Sequence, residues 1–200
     1  MIAIIDYGAG NLFSVKNALD YLGVACRITA EPEEIRRADE IILPGVGAFP
    51  DAMRMLREKG LEALLKQQAG EKPFLGICLG MQMLFETGYE FEKTEGLGLI
   101  PGSVVPLKKR PGFKIPHMGW NSLTVKNPCP MLEGIPEGAY VYFVHSFRAD
   151  TAPENIGAQT LYTEPVPALV YRENVFGAQF HPEKSGEVGL AMLKNFALLA

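Results

Sequence analysis

Cysteine, histidine and tryptophan are scarce in this 200-residue chain, which holds 3, 3 and 1 of them. The cysteines, Cys26, Cys78 and Cys129, are odd in number and form no C-x-x-C pair. That excludes a disulfide framework and argues against a thiolate zinc site, which needs closer ligand spacing. No stretch approaches the roughly 20 apolar residues of a membrane span. The start, Met1-Ile2-Ala3-Ile4-Ile5-Asp6, has no basic region and meets a carboxylate at once, so it does not read as a signal peptide. The expected address is cytoplasmic. Lys and Arg number 19 against 23 Asp and Glu, a net charge of -4, which gives no electrostatic case for nucleic acid or a membrane surface. No repeat, linker or low-complexity tract interrupts the chain.

What is present is the make-up of one soluble domain spanning residues 1–200, with 48% apolar and 21% charged residues. The 21 glycines and 15 prolines imply many tight turns. Over the first hundred residues, strand-like and helix-like segments alternate. Ile2–Asp6 reads as a strand, and Leu12, Val15, Leu19 and Leu22 recur at helical spacing up to Gly23. Val24–Thr29 is a second strand, and a short helix opens at Pro32. Asp39–Leu43 is a third strand, stopped by Pro44-Gly45. Two helical stretches follow, Pro50–Lys59 and Leu61–Gln68, then a buried strand, Pro73–Ile77, and a helix over Gly80–Glu86.

Alternation of this kind predicts an α/β fold with a mostly parallel central sheet flanked by helices. From about Gly96 the segments become short and strand-like: Ser103–Leu107, Ser122–Val125, Ala139–Val144, Gly157–Tyr162, Ala168–Arg172 and Val175–Phe180. They predict an added antiparallel part. A closing amphipathic helix carries Val188, Met192, Phe196 and Leu199.

The sharpest local feature is Gly76-Ile77-Cys78-Leu79-Gly80, between a strand and a helix. Small residues two before and two after Cys78 permit the sharp turn that lifts a nucleophile over the carboxyl edge of a sheet. The amides of the following helix point at the sulfur and favour the thiolate, and the Leu79 N–H is placed to hold an oxyanion. A free cysteine is more often a small buried hydrophobe. That reading suits Cys26 and Cys129, but a core cysteine has no need of the glycine frame around Cys78.

A thiolate nucleophile needs a base and an orienting group. In His181-Pro182-Glu183, residues two apart in extended chain share a side, so Glu183 can reach the His181 imidazole and fix its tautomer. His145 is the competing base but has no neighbouring carboxylate, which makes it structural or substrate-proximal. Pro44-Gly45-Val46-Gly47 follows the third strand, where a second oxyanion donor belongs, and is otherwise an ordinary glycine-rich turn. Other attractions fail. Gly8-Ala9-Gly10 lacks the third glycine of a dinucleotide site, where Phe13 stands, and no P-loop is present.

Taken together, Gly76-x-Cys78-x-Gly80-x-Gln82 and the distant His181-Pro182-Glu183 resemble the class I (triad) glutamine amidotransferases, over nearly the whole chain. Asp6-Tyr7-Gly8-Ala9-Gly10-Asn11-Leu12, Pro44–Phe49, Pro116-His117-Met118-Gly119-Trp120-Asn121 and His181–Ser185 are similar to the subfamily that supplies ammonia for imidazole glycerol phosphate synthesis. The resemblance implies a flavodoxin-like fold, glutamine as substrate, no cofactor, and catalysis by Cys78, His181 and Glu183. It implies oxyanion amides at Val46, Gly47 and Leu79, and glutamine contacts from Gln82, Glu90, Ser146 and Phe147. It also implies a (β/α)8-barrel cyclase as heterodimer partner, with Asn11 and Trp120 facing it; Trp120 is otherwise a core aromatic. The 200 residues leave no length for a domain that would use the ammonia.

Three rivals stand beside this reading. The glutaminase of pyridoxal phosphate synthase typically has Gly-Gly-Glu-Ser where this chain has Gly45-Val46-Gly47. Peptidases and chaperones of the cysteine-elbow fold usually carry histidine after the cysteine, where Leu79 stands. A catalytically silent docking subunit would not need Cys78, His181 and Glu183 intact.

Overall fold

The segment Ile2-Ala3-Ile4-Ile5 has no polar side chain and is buried throughout, the signature of a strand covered on both faces. A computed structural model of the chain describes residues 1–199. In it this strand, β1 (Ile2–Ile5), pairs in parallel with both β2 (Cys26–Thr29) and β3 (Glu40–Gly45). Between them run α1 (Leu12–Tyr21) and α2 (Pro32–Arg37). After β3 come α3 (Phe49–Glu58), α4 (Glu62–Ala69), β4 (Phe74–Cys78) and α5 (Leu79–Gln82).

The second half supplies β5 (Phe85–Gly88), β6 (Thr94–Glu95), β7 (Ile100–Pro106), β8 (His117–Ser122) and β9 (Thr124–Val125). It continues with β10 (Tyr140–His145), β11 (Phe147–Asp150), β12 (Ile156–Leu161), β13 (Pro165–Arg172), β14 (Val175–Ala178) and α6 (Gly186–Phe196). The main sheet has the order β2-β1-β3-β4-β14-β13-β12-β9. It is parallel from β2 to β14 and antiparallel from β14 onward, the added part that the sequence predicts.

Alternating strand residues feed two cores. Ala3, Ile5, Ile41 and Leu43 pack with Ile35, Met53, Leu56 and Leu65 of α2, α3 and α4. Ile2, Ile4, Ile42 and Ile77 pack on the other face with Val15, Leu19, Met192 and Phe196 of α1 and α6. Period-2 alternation thus sends neighbouring residues to opposite helical layers. Leu199 of the expected closing helix lies beyond the end of α6.

Two further expectations are corrected. β3 does not stop at Pro44-Gly45 but runs through it, with Pro44 opposite Ile77 and Gly45 opposite Cys78. β1 pairs with β3 only as far as Ile42, so Pro44 lies past the end of that ladder. The helix expected over Gly80–Glu86 is a single turn, α5, after which Phe85–Gly88 enters a second sheet of order β11-β7-β5-β6. Every residue from Leu79 to Phe85 is buried, so no solvent-facing stripe holds the segment in an amphipathic helix, and tertiary burial decides its path. β8 and β10 form a separate antiparallel pair.

Candidate active site

Cys78 ends β4 with φ 55° and ψ −111°, a left-handed conformation that is rare outside glycine. Such strain persists only where the surroundings enforce it. Here they do: a Cβ on Gly80 would lie 1.8 Å from the Leu43 carbonyl oxygen, and one on Gly76 2.5 Å from that of Gly80. Only hydrogen fits at either place. The turn holds Cys78 at the carboxyl edge of the parallel sheet, where open α/β sheets bind ligands. Because α5 is one turn long, no full helix dipole stands behind the sulfur, and Cys78 Sγ instead donates to the Val144 carbonyl at 3.8 Å.

His181 follows β14, which is paired in parallel with β4, and so arrives at the same edge. Its N–H donates to the Tyr142 carbonyl (2.9 Å), and Ser185 Oγ donates to the His181 carbonyl (2.6 Å). His181 Nδ1 lies 2.8 Å from Glu183 Oε1, so the orienting pair expected from the sequence is present. The geometry that delivers it differs from expectation: Pro182–Lys184 is a 3-10 turn rather than extended chain. His181 Nε2 is buried without a hydrogen-bond partner. Burial pulls the imidazole pKa down, but the Cys78 sulfur and the Glu183 carboxylate outweigh it and raise the value to about 9.

Cys78 and His181 line one cavity of about 310 Å³. Val46, Gly47, Leu79, Gln82, Glu90, Ser146 and Phe147 line it too, so the structure brings together every residue assigned to glutamine or to the oxyanion. Glu183 stands behind His181, its side chain fully buried. Leu79 heads α5, where its N–H has no preceding helical turn to bond. Val46 and Gly47 are exposed, and Gly47 has φ +96°. Glu90 Oε2 accepts from the Phe49 N–H (2.7 Å) at the start of α3. Gln82 Nε2 donates to the carbonyl of Phe147 (3.2 Å) and to Gln179 Oε1 (3.0 Å).

Asn11 and Trp120 lie outside this cavity. Asn11 caps α1 by position, without a side-chain capping bond. Trp120 is 54% exposed, which removes the core alternative. It stands opposite Tyr142 across the β8–β10 pair, and two rungs along, Met118, 62% exposed, stands opposite the cavity residue Val144. An apolar face therefore runs from Trp120 to the mouth of the site.

The structure places His145 where its sequence reading allows, structural and on the cavity wall, and adds Gln179, which sequence reasoning misses. His145 lines the cavity but is held by the Phe147 carbonyl (Nδ1···O 2.7 Å) and by His117 (Nε2···Nδ1 2.9 Å), far from a base's role. Burial lowers its pKa to about 3 and that of His117 to about 4. Gln179, fully buried beside Gln82, had a signal: it is the one polar side chain in the apolar run before His181.

Residues 3–200 match the glutamine amidotransferase class-I family. The chain belongs to that family. The fold agrees: PurLQS from Thermotoga maritima superposes with a TM-score of 0.77 at 23% identity, covering 98% of this chain and 96% of that one. A structure described as a glutamine amidotransferase gives 0.75 at 19% identity, covering 99% and 100%. Curated relatives are nearer in sequence. The imidazole glycerol phosphate synthase subunit HisH of Caldanaerobacter subterraneus subsp. tengcongensis is 54% identical, over 98% of this chain and 97% of that protein. HisH of Listeria monocytogenes is 50% identical, over 98% and 94%. No helix among the described residues is long and apolar enough to cross a membrane.

Proposed function

We propose that residues 1–200 act as one amidotransferase domain, the glutaminase subunit of an imidazole glycerol phosphate synthase, with Cys78, His181 and Glu183 as its catalytic triad. The observation that carries this is Cys78, strained at φ 55° on the wall of a cavity it shares with the Glu183-oriented His181. Full-length identity of 50–54% to HisH subunits sets the synthase to which it belongs.

The Cys78 sulfur attacks the side-chain carbonyl carbon of glutamine, forming a C–S bond. Negative charge gathers on the carbonyl oxygen, and the N–H groups of Leu79 and of the Val46–Gly47 loop are the donors for it. His181, raised to about 9, is a protonated acid at neutral pH and gives its Nε2 proton to the departing nitrogen. The C–N bond breaks, ammonia leaves and a glutamyl thioester remains. His181, now neutral, takes a proton from water as the water attacks. The C–S bond then breaks, and glutamate and the thiolate form. Glu183 fixes the His181 tautomer in both halves. Gln82, Glu90, Ser146 and Phe147 hold the substrate.

The ammonia passes to a (β/α)8-barrel cyclase docked beside the site. The exposed Trp120, with Met118 and Tyr142 on one face, is the apolar anchor suited to that partner, and Asn11, at the start of α1, is the other residue assigned to the contact. Three unpaired cysteines fit a cytoplasmic setting.

The experiment is glutamate release from glutamine, with and without a cyclase barrel and its nucleotide ligand. Release should rise on adding the liganded barrel and vanish in Cys78→Ala. Undiminished release by Cys78→Ala overturns the mechanism, and indifference to the barrel overturns the assignment to this synthase.

A further inference from the structure

The Phe147 carbonyl oxygen has two lone pairs, and two side chains occupy them: Gln82 Nε2 at 3.2 Å and His145 Nδ1 at 2.7 Å. A carbonyl only accepts, so His145 must carry its proton on Nδ1. Its Nε2 is then an acceptor, which forces His117 to donate from Nδ1 across 2.9 Å. His117 Nε2 in turn accepts, and Asn121 Nδ2 lies 3.4 Å away. Both tautomers are thus set by the bonds themselves, and both rings must be neutral, since a second proton on either would place two donors face to face. The His117 ring is also stacked between Phe143 and Tyr162, at centroid distances of 4.7 and 4.0 Å.

The position of Phe147 makes this more than packing. It opens β11 opposite Pro106, which has no N–H, while the neighbouring Ser146 carbonyl takes the Leu107 N–H. Antiparallel pairs alternate between bonded and unbonded rungs, so the Phe147 peptide groups turn away from β7. No ladder bond holds its carbonyl. The clamp from Gln82 and His145 does, and the backbone it orients forms a wall of the cavity.

We propose that His145 and His117 are positioning residues. As a neutral, tautomer-locked pair they hold the Phe147 carbonyl and thereby set the Ser146–Phe147 wall on which glutamine binds. Neither is hydrogen-bonded to Cys78 or His181. Their loss therefore weakens glutamine binding and spares the chemical step. The inference rests on the glutaminase reading above.

The test compares His145→Leu with His145→Asn in the complex with the cyclase barrel. Asn can place its Nδ2–H where the Nδ1–H of His145 stands, keeping the bond to Phe147. Loss of one positioning bond should raise KM for glutamine roughly tenfold in His145→Leu with kcat within about twofold, and His145→Asn should recover most of that loss. An unchanged KM in His145→Leu, or Asn no better than Leu, overturns the proposal. Should the Leu variant fail to fold, ring ¹⁵N NMR of the unmodified chain decides: both rings neutral and protonated on Nδ1 supports the clamp, and any other tautomer refutes it. An unmodified complex that releases no glutamate would instead refute the glutaminase reading, while the NMR result still judges the pair.

Discussion

His181 and Glu183 meet through Nδ1 and Oε1 at 2.8 Å, and the other ring nitrogen, Nε2, is buried with no partner. An imidazole anchored by Glu183 on one side, with the Cys78 sulfur as its neighbour on the other, is oriented to move a proton at the cavity. Replacing Glu183 with Gln keeps the volume but offers an amide in place of the anion. The Glu183→Gln variant should lose about two to four orders of magnitude in kcat with a much smaller change in KM. Steady-state glutamate release measures both. A loss confined to KM would assign Glu183 to substrate binding instead.

The three histidines titrate in opposite senses. His181 moves from 6.5 to about 9 on folding, so its stabilisation is complete below about pH 6.5 and is lost as pH rises through 9. His145 and His117 move down, to about 3 and about 4, so the unfolded chain binds more protons below 6.5. Their contribution is complete above 6.5 and is lost as pH falls. Thermal melts across pH should therefore show the deficit of His181→Asn shrinking from about pH 6.5 upward and gone above about pH 9. The acid-side fall of the unmodified protein should flatten in His145→Asn. Parallel curves at all pH values would contradict both shifts.

Val46 and Gly47 are exposed and line the cavity with Cys78. Val46→Pro deletes one N–H. If that N–H holds the oxyanion, activity should drop about 10²- to 10³-fold in the complex, the usual cost of one such donor. Turnover equal to the unmodified complex would remove Val46 from the oxyanion site.

Gly80 has no room for even a methyl group, because a Cβ there would sit 1.8 Å from the Leu43 oxygen. Gly80→Ala should destabilise the protein by about 3 kcal/mol or more and displace Cys78. Denaturant melts report the first effect and glutamate release the second. A stable, active alanine variant would show that the elbow tolerates more slack than its geometry implies.

The Cys78 elbow and the His181–Glu183 pair were legible because their signals are local. Glycines flanking Cys78 declare a sharp turn, and the two-residue spacing of His181 and Glu183 brings them within reach of each other. The α/β core was legible from unbroken apolar runs such as Ile2–Ile5 and Phe74–Ile77. What escaped depends on contacts between distant residues. Phe85–Gly88 becomes a strand only because β7 is there to receive it. His117 and His145 are 28 positions apart and acquire meaning only when β8 and β10 pair them. Pro182–Lys184 turns where the spacing predicts extended chain, because a two-residue spacing serves both geometries.

Gly45 forms a rung of the sheet directly beside Cys78, and the Phe49 N–H a few residues later is tied to Glu90. The segment between these anchors holds only Val46, Gly47 and Ala48. Its stroke is therefore short. It cannot sweep like a lid, and any activation through it must be a rotation of peptide planes in place, with Gly47 as the pivot. Loop motions of that size run on nanosecond to microsecond scales. A slow onset of activity in the proposed complex would have to originate outside this segment, with the loop merely following.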